Sequence, residues 1–594
     1  MPTLRTTLLS AMASLLVATP SLAGPHKHDF ANMDFCAEEH SDSAADRAQA
    51  AKRISWKQRK HGQQTVAFKI LGFNDFHGAL EQRTLSGRPV GGAAVLAAYL
   101  EAETADSENG AIIVHAGDHV GATPPVSALL QDEPSIQFLN MLGNRYCRGN
   151  FSLHGKCNLV GTLGNHEFDE GVDEMLRLIN GGDHAKGPFL ADPYTGASFP
   201  YVNANVVWQE NGHYVLPPFV IKRVKGVKVA FIGAVLKETP TIVTPTGVAG
   251  VEFRDEAESI NALVPLLKRW GVRTIVVTIH QGTRTSGFAG PTDGEPQPLD
   301  GAIGEIVNAL DDEIDIVVSG HAHGFTNQLV NNANGTPILV TQAYSSGTAY
   351  ADIDVVVDRR TGDVVEKSSE IITTWADEGP GLTPNAEVAE LVAEAAARVQ
   401  PLVERVVGTA AGDITRTETA AGESALGNLI ADAQRAALGT DVAFMNPGGI
   451  REDMAAGEVT WGDLFAIQPF ANDLVKMELT GTQIITLLNQ QWSGSNADRP
   501  RILKTSGIQY TWDASLPAED RVVDASINGS PLETDGIYSV TVNSFIAAGG
   551  DNFTVLTEGT NRVIGPVDLD ALINFIEALP QPFNAVTEGR INAL

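Results

Sequence analysis

Residues 66–78 read VAFKILGFNDFHG. Apart from Lys69 the first six are apolar, as in a buried β-strand, and a polar string with Asp75 and His77 follows shortly after them. Two side chains that lie two residues apart can point to the same side and bind one cation. The stretch therefore predicts a pair of metal ligands at the tip of a strand.

Four further strings of this type follow, and most of them also come after apolar, β-branched runs. They are Gly117-Asp118, Gly164-Asn165-His166-Glu167, Thr278-Ile279-His280 and Gly320-His321-Ala322-His323. They supply carboxylate, imidazole and amide groups but no cysteine, a set that suits Zn, Mn, Fe or Co better than a closed structural zinc site. Each string is a weak signal by itself. Together they predict two divalent metal ions, and Asp118 is the natural bridge because a carboxylate has two oxygens.

Apolar β runs alternate with helical stretches from Val66 to about Asp358, which indicates an α/β layered sheet domain. We expect helices at Gly92–Ala102 and Ser259–Trp270, among others. A long helical pattern then runs to Leu402, with Thr383 as its N-cap and Pro384 in its first turn. The predicted organisation is a signal peptide (1–23), a flexible lead-in (24–64), an N-terminal domain (65–375), a connector helix (376–405) and a second α/β domain (406–594).

The N-terminus is typical of a secretory signal, with a positive charge at Arg5, an apolar stretch from Leu8 to Ala18 and a cleavage site near Ala23. A buried N-terminal helix is the alternative. No lipid-anchor signal is present, so we expect a periplasmic or secreted protein without a stable membrane anchor. The formal net charge of −31 and a pI near 4.8 argue against a nucleic-acid polymer as partner.

The chain has three cysteines. Cys147 and Cys157 flank a short polar loop just before the Gly164 string, and an oxidising compartment would allow them to form a disulfide. Two unpaired thiols are the alternative. Cys36 lies in the lead-in, and we assign it no role.

The order of the five strings resembles that of the calcineurin-like metallophosphoesterases. The fuller strings around Asp75 and His166 look like those of the secreted bacterial 5′-nucleotidase family, and the resemblance covers about residues 66–590. It implies an α/β fold with an N-terminal four-layer β-sandwich flanked by helices and a second α/β substrate-binding domain. It also implies one metal ion on Asp75, His77, Asp118 and His323, and a second on Asp118, Asn165, His280 and His321.

The resemblance gives His166 a different part, that of the catalytic histidine, with Asp169 orienting it. A histidine held by a carboxylate can stay protonated near neutral pH and donate to the phosphate or the leaving oxygen. A helix N-cap or a first-turn acid is the alternative for Asp169. We assign His115 and His119 no function and expect them to pack as buried side chains.

The C-terminal half carries three strings with ligand-binding character: residues 446–451, 468–470 and 547–553. The resemblance implies that Arg451 binds phosphate, that Asn446, Gly448 and Gly449 contact the nucleotide, and that Phe470 and Phe553 clamp the base. By itself, either phenylalanine would favour core packing.

The sequence departs from the family pattern in three places. Further arginines usually precede the helix that begins near Leu426, but here Arg416 lies only farther upstream. Pro447 replaces a glycine, and the nearest acid that follows Phe553 as a ribose contact is Glu558.

These residues predict an exported dimetal phosphohydrolase, and most directly a 5′-nucleotidase that converts nucleoside 5′-monophosphates to nucleoside and phosphate by attack of a metal-held water or hydroxide. Its substrate would be a small nucleotide, and the chain would be a monomer or a homodimer. One alternative is a 2′,3′-cyclic-nucleotide phosphodiesterase with 3′-nucleotidase activity, and another is a hydrolase of nucleotide sugars or dinucleotides. A non-catalytic nucleotide-binding protein is the remote alternative.

Overall fold

The computed structural model describes residues 64–148, 154–497 and 499–594. The predicted signal peptide, Cys36 and the lead-in up to residue 63 lie outside these residues. Within them, none of the helices has the length and apolar character needed to span a bilayer.

The N-terminal part of the described chain alternates strands and helices. Its strands are β1 Thr65–Phe73, β2 Arg83–Leu85, β3 Arg88–Val90, β4 Ala111–His115, β5 Leu159–Gly161, β6 Val206–Trp208, β7 Phe219–Val224, β8 Val227–Val235, β9 Val251–Phe253, β10 Thr274–His280, β11 Ile316–Ser319, β12 Phe325–Asn331, β13 Pro337–Ala343, β14 Ala349–Asp358 and β15 Val364–Thr373. Its helices are α1 Ala93–Asp106, α2 Pro125–Ala128, α3 Glu133–Leu142, α4 Val172–Asn180, α5 Thr239–Ile242, α6 Glu256–Asn261, α7 Val264–Arg269 and α8 Gly301–Ala309.

Two sheets form the centre of this part. One has five strands in the order β15-β14-β1-β4-β5, and the other has six in the order β12-β13-β11-β10-β8-β7. Strand β1 shows why they stack: Phe68 and Ile70 face the apolar layer between the sheets, whereas Leu71 and Phe73 face the helices outside. A second helical layer that includes α6, α7 and α8 covers the other sheet. The expected four-layer sandwich flanked by helices is confirmed.

The C-terminal part has its own sheets and its own core. Its strands are β16 Val406–Ala410, β17 Val442–Met445, β18 Gly457–Thr460, β19 Asp473–Thr480, β20 Lys504–Ser506, β21 Ile508–Trp512, β22 Val522–Ile527, β23 Ser530–Pro531, β24 Ile537–Asn543, β25 Thr560–Val567 and β26 Ile591–Ala593. Helices α9 Ala386–Val403, α10 Ala425–Leu438, α11 Trp461–Ile467, α12 Gly481–Asn489, α13 Ser544–Ala547 and α14 Asp568–Ala578 complete the described chain. The main sheet has the order β20-β17-β24-β19-β25.

Helix α9 lies where the connector helix is predicted, and it packs against α1, α2 and α3 on one side and α11 on the other. Its N-cap is Asn385, whose side chain accepts a hydrogen bond from the backbone N–H of Val388 at 2.9 Å. The prediction of Thr383 as the cap is therefore wrong by two residues. Asparagine is at least as good a cap as threonine, and Pro384 lies before the helix instead of inside it.

The predicted helix Ser259–Trp270 is also wrong as a single element, because the chain forms α6 and α7 there. Pro265 lies in the first turn of α7, where its missing N–H has no intrahelical partner to lose, so the helix restarts at that point.

The predicted bridge between Cys147 and Cys157 is present as a disulfide.

Candidate functional site

All five strings of candidate ligands lie at one edge of the two central sheets. Strand β4 pairs in parallel with β1 and β5, and β10 pairs in parallel with β11. Because the C-terminal ends of parallel strands meet at the same edge, the residues that follow these strands lie together. The two sheets are joined close to this edge, where the Thr278 hydroxyl donates to the His115 carbonyl at 3.1 Å.

The first candidate metal group consists of Asp75, His77 and His323, whose donor atoms lie within 4.8 Å of one another. The Nε2 atom of His323 is 3.2 Å from Oδ1 of Asp75 and 3.1 Å from Nε2 of His77. The structure thus brings together three of the four ligands that we expect for the first ion.

The second candidate group consists of Asp118, His280 and His321, again with donor atoms within 4.8 Å. The side-chain oxygen of Asn165 lies 3.0 Å from Nδ1 of His321, so the predicted amide ligand belongs to the same group. Asp118 lies between the groups: its Oδ2 is 2.9 Å from Nε2 of His280 and 3.7 Å from Nε2 of His77. This is the position that a bridging carboxylate requires.

Two of the imidazoles are held in the tautomer that a metal ligand needs. The Nδ1–H of His77 donates to the Gly121 carbonyl at 2.8 Å, and that of His280 donates to the Ala116 carbonyl at 2.7 Å. In its neutral form each ring therefore has its lone pair on Nε2. In His280 this nitrogen is buried and points at the carboxylate of Asp118. Burial opposes the protonated form of His280, but the carboxylates of Asp118 and Asp75 outweigh it and raise its pKa to about 10. This pair of groups therefore attracts a cation, and the proton on Nε2 holds the place that a metal ion would take.

The backbone at the ligands supports the same interpretation. Five of the seven candidate ligands have a positive φ, a conformation that costs free energy for residues other than glycine and clusters at functional sites. These are Asp75 (49°), His77 (48°), Asp118 (48°), His321 (72°) and His323 (46°). Gly164 lets two loops approach closely, because a Cβ atom there would collide with the carboxylate and amide of Asp118.

Burial keeps several imidazoles neutral, as metal ligation requires. It lowers the pKa of His77 well below its usual value, and burial together with the charge of His280 lowers that of His321 to about 3. Burial alone would raise the pKa of Asp118, but the charges of His280 and His166 hold it well below its usual range. The centre thus combines neutral imidazoles at His77 and His321 with an ionised carboxylate at Asp118.

His166 lies beside the two groups without joining either. Its Nδ1 is 2.7 Å from Oδ2 of Asp169, and its backbone N–H donates to Asp118 at 2.8 Å. Burial opposes the protonated form, but the carboxylates of Asp169 and Asp118 outweigh it and raise the pKa of His166. The geometry is that of an imidazole oriented by a carboxylate, with Nε2 left for other contacts. The expected burial of His115 and His119 is observed.

The C-terminal part brings Arg451 and Phe470 to this centre. The Phe470 ring is stacked on the His166 ring, with centroids 5.9 Å apart, and the Arg451 guanidinium lies 5.8 Å from the Phe470 centroid. Arg416 also reaches the area, although it lies far upstream in the sequence: its guanidinium donates to the Ile450 carbonyl at 3.2 Å. Burial and the charge of Arg416 lower the pKa of Arg451.

Asn446 and the glycine-rich segment 547–553 also lie together, because the Asn446 amide donates to Asp551 at 2.8 Å. Gly448 is exposed and Gly449 is buried. The carboxylate of this segment is Asp551, which also pairs with Arg501, whereas Glu558 accepts a hydrogen bond from Gln483. The acid that contacts Asn446 is thus Asp551, inside the segment, and not Glu558, which the sequence suggested.

Phe553 does not fit the role of a base clamp. Its side chain has 0% exposure and belongs to the apolar core of the C-terminal part, so it has no free face on which a base could stack. The half-buried aromatic residue of this region is Phe545, in α13, whose ring lies against Gly550. The sequence could have indicated Phe545, because this residue lies two positions after the end of strand β24.

Glu167 is a further residue to which the sequence assigned no role. Its two carboxylate oxygens accept hydrogen bonds from the backbone N–H groups of Asp118 (3.0 Å), His119 (2.8 Å) and Gly164 (2.5 Å). These donors belong to the two loops that carry Asp118 and Asn165. Glu167 therefore joins the two loops that carry candidate ligands of the same group.

Replacing Glu167 by Gln should lower the apparent affinity for the metal about ten- to hundredfold, because the amide nitrogen would face a backbone N–H and loosen the loops. Metal content after dialysis against graded chelator, measured by plasma emission, checks this. Glu170→Gln is the matched control, since Glu170 bonds the Gln131 side chain and not these loops. Equal metal retention in both variants would show that Glu167 does not position the ligands.

Comparison with known proteins adds independent evidence. The family model for the calcineurin-like phosphoesterases matches residues 68–325, and the model for the 5′-nucleotidase C-terminal domain matches residues 406–558. Endonuclease YhcR of Bacillus subtilis is 37% identical over 557 residues, covering 92% of this chain and 42% of that protein. Cell wall protein Lmo0130 of Listeria monocytogenes is 35% identical over 569 residues, covering 89% of this chain and 69% of that protein. The chain thus spans less than half of one of these relatives and about two thirds of the other.

Among solved structures, a 5′-nucleotidase precursor from Thermus thermophilus is similar, with a TM-score of 0.73 and 29% identity over 89% of this chain and 99% of that one. The fold and the two residue groups imply bound divalent metal ions. The chain belongs to the 5′-nucleotidase family of the calcineurin-like metallophosphoesterases and is a metal-dependent hydrolase.

Proposed function

We propose that this protein hydrolyses nucleoside 5′-monophosphates to nucleoside and orthophosphate. The observation that carries the proposal is the meeting of three elements at one place: the two ligand groups, His166 with Asp169, and Arg451 with Phe470 from the other part of the chain. When bound, two divalent ions would polarise the phosphoryl oxygens and lower the pKa of an attacking water. The first ion would take Asp75, His77, Asp118 and His323, and the second Asp118, Asn165, His280 and His321.

His166 acts in this proposal as the proton donor. Asp169 accepts the Nδ1–H of the ring at 2.7 Å, which orients Nε2 and favours the protonated form. A proton on Nε2 can then stabilise charge on a phosphoryl oxygen or pass to the leaving nucleoside oxygen. His166 lies beside both ligand groups and belongs to neither of them, which supports its assignment as proton donor and not as metal ligand.

The C-terminal domain supplies substrate binding. The Arg451 guanidinium can fork onto phosphate oxygens, while Asn446 and the backbone at Gly448 and Gly449 contact the nucleotide. Phe470 offers a ring for stacking with the base. We propose Phe545 as the second ring in place of Phe553, because Phe545 is half-buried beside Gly550.

We also propose that the protein is exported. The motif for a cleavable signal ends near Ala23, and one relative is named a cell wall protein. The intact mass of the protein recovered from the periplasm or the medium tests this, since a mature chain should begin at or near Gly24. Recovery only of the uncleaved chain inside cells would contradict it.

The substrate proposal is tested with AMP, 3′-AMP, 2′,3′-cyclic AMP, UDP-glucose and NAD, with Mn²⁺ or Zn²⁺ added. Orthophosphate release measures hydrolysis of the two monoesters, and chromatography of the nucleotide products measures ring opening and pyrophosphate cleavage. We expect AMP to give the highest kcat/KM. A higher value for the cyclic nucleotide or 3′-AMP would assign the chain to that activity instead, and a higher value for UDP-glucose or NAD would assign it to pyrophosphate-bond hydrolysis. No turnover of any of the five would refute the enzymatic proposal for nucleotides.

His166→Ala should lower kcat about 10²- to 10⁴-fold through the loss of proton transfer, with metal content close to that of the wild type. Asp169→Asn should cause a smaller loss, because it only removes the charge that orients the ring. His213→Ala serves as the control, since His213 is exposed elsewhere on the surface. Loss of metal in the His166 variant would show that this residue is a ligand.

The three phenylalanines should respond differently to replacement by Ala. We expect Phe470→Ala and Phe545→Ala to raise KM for AMP about tenfold, as the loss of one stacking partner predicts. Phe553→Ala should instead lower the stability by about 3–5 kcal/mol, since it leaves a cavity in the core. Steady-state kinetics and thermal unfolding separate the effects. If the Phe553 variant had a raised KM and unchanged stability, Phe553 would be a base contact after all.

A further inference from the structure

Three stretches of the sequence contain no aspartate or glutamate, although the whole chain has 72 acidic residues and a net charge of −31. They are residues 134–166, 211–237 and 259–292. The first includes the disulfide loop, the second includes the hairpin of β7 and β8, and the third includes helix α7 and strand β10. A local absence of acids leaves lysines and arginines without partners that would neutralise their charge.

The structure brings the three stretches together at one end of the N-terminal domain. The backbone N–H of Arg223 donates to the Gly155 carbonyl at 2.7 Å, which joins β7 to the disulfide loop. The Lys228 ammonium donates to the Trp270 carbonyl, which joins β8 to the end of α7. These four residues and Ile221 line a surface depression of about 470 Å³. Two cations and one indole ring thus share a depression to which all three stretches contribute.

The disulfide loop adds an aromatic and cationic surface next to this depression. The rings of Tyr146 and His154 are stacked, with centroids 5.2 Å apart. Over the Tyr146 ring lie the Arg145 guanidinium, 5.0 Å from the centroid, and the Lys156 ammonium, 5.4 Å from it. These contacts involve none of residues 149–153, which lie outside the described chain.

We call the resulting surface the basic rim, and it consists of Arg145, Lys156, Arg223, Lys225, Lys228 and Trp270. Four of its five cations are exposed and Lys228 is half-buried. In the part of the chain that the structure describes, none of the five has a carboxylate within ion-pair distance. Lys268 and Arg273, on either side of Trp270 in the sequence, do have one, because they pair with Glu313 at 2.8 and 2.9 Å. The basic rim therefore carries five positive charges that no ion pair compensates.

Trp270 adds a large apolar group to the same surface. The residue is 47% exposed, and its ring meets the Phe219 ring edge-to-face with centroids 5.8 Å apart. An indole that is held by the protein on one side and open to water on the other favours the boundary between lipid headgroups and acyl chains. A hydrophilic phosphate polymer would leave this ring in water. The combination of free cations with an exposed indole thus favours a lipid surface over such a polymer.

We propose that the basic rim docks the protein reversibly on a bilayer of anionic phospholipids. Its lysines and arginines contact the headgroup phosphates, and the Trp270 ring enters the headgroup region. The net charge of −31 does not prevent this, because charges farther than about 8 Å from the bilayer are largely screened at physiological salt. This docking is independent of the nucleotidase proposal, since no residue of the basic rim belongs to the candidate ligand groups.

The basic rim and the candidate ligands lie at opposite ends of the same strands. Trp270 lies four residues before the start of β10 at Thr274, and β10 ends at the candidate ligand His280. The seven residues of β10 span about 20 Å. Docking through the basic rim therefore turns the ligand edge away from the lipid, toward the water from which a soluble substrate arrives.

Co-sedimentation of the purified protein with vesicles tests the proposal. Vesicles of equal parts phosphatidylglycerol and phosphatidylcholine should bind the protein at low salt, whereas pure phosphatidylcholine should not, and added NaCl should weaken the binding. Each positive charge near an anionic surface contributes about fivefold to partitioning. Arg223→Glu should therefore lower the partition coefficient about 25-fold, because it removes one positive charge and adds a negative one.

Lys186→Glu is the matched control. It makes the same change in net charge at an exposed lysine in the loop after α4, and this loop contacts α9 through the Phe189 carbonyl. Partitioning of this variant should stay within about twofold of the wild type. Equal losses in the two variants, or no binding of the wild type to the anionic vesicles, would overturn the proposal. AMP hydrolysis in solution should be the same in Arg223→Glu and the wild type, so docking and nucleotidase activity are judged by separate results.

Trp270→Phe tests the position of the indole. Brominated phosphatidylcholine in the anionic vesicles quenches a tryptophan only when its ring lies close to the acyl chains, so we expect less quenching in the variant than in the wild type. Equal quenching in both would overturn the lipid contact of Trp270. Binding of the wild type to immobilised polyphosphate but not to the vesicles would show that the basic rim recognises a phosphate polymer, and would overturn the lipid proposal.

Discussion

The parallel pairing of β4 with β1 and β5, and of β10 with β11, is the constraint on which the site depends. It directs the C-terminal ends of strands from both sheets to one edge, so that residues more than 200 positions apart meet without any direct sequence relation. The strand ends are rigid because both faces of each sheet are covered. The loops beyond them can therefore hold a strained backbone, as the positive φ angles at five candidate ligands show.

The strands and ligand strings were predictable because each is encoded locally. A strand with period-2 burial, such as β1, shows its two faces in the sequence, and a polar string at its end shows where the strand stops. The meeting of Asp75 with His323 followed from the resemblance and from the parallel topology that it implies. The start of α9 was predicted only approximately, since threonine and asparagine can both cap a helix and the sequence does not say which one does.

Other features of the site depend on tertiary contacts that no local pattern carries. Phe545 and Phe553 belong to the same short stretch, and only the path of the turn through Gly549 and Gly550 decides which ring enters the core. The role of the Glu167 carboxylate depends on three backbone N–H groups that it accepts from, and two of these lie nearly 50 residues away on another loop.

The stack of Phe470 on His166 has a consequence for how a nucleotide enters. The ring belongs to one domain and the imidazole to the other, and the ion pair between Arg83 and Glu452, at 3.0 Å, crosses the same boundary. In this arrangement the phenyl ring shields the imidazole from water. In the reaction that we propose, a base that stacks on Phe470 takes the place of this imidazole, so a nucleotide enters through a separation of the two surfaces at this boundary.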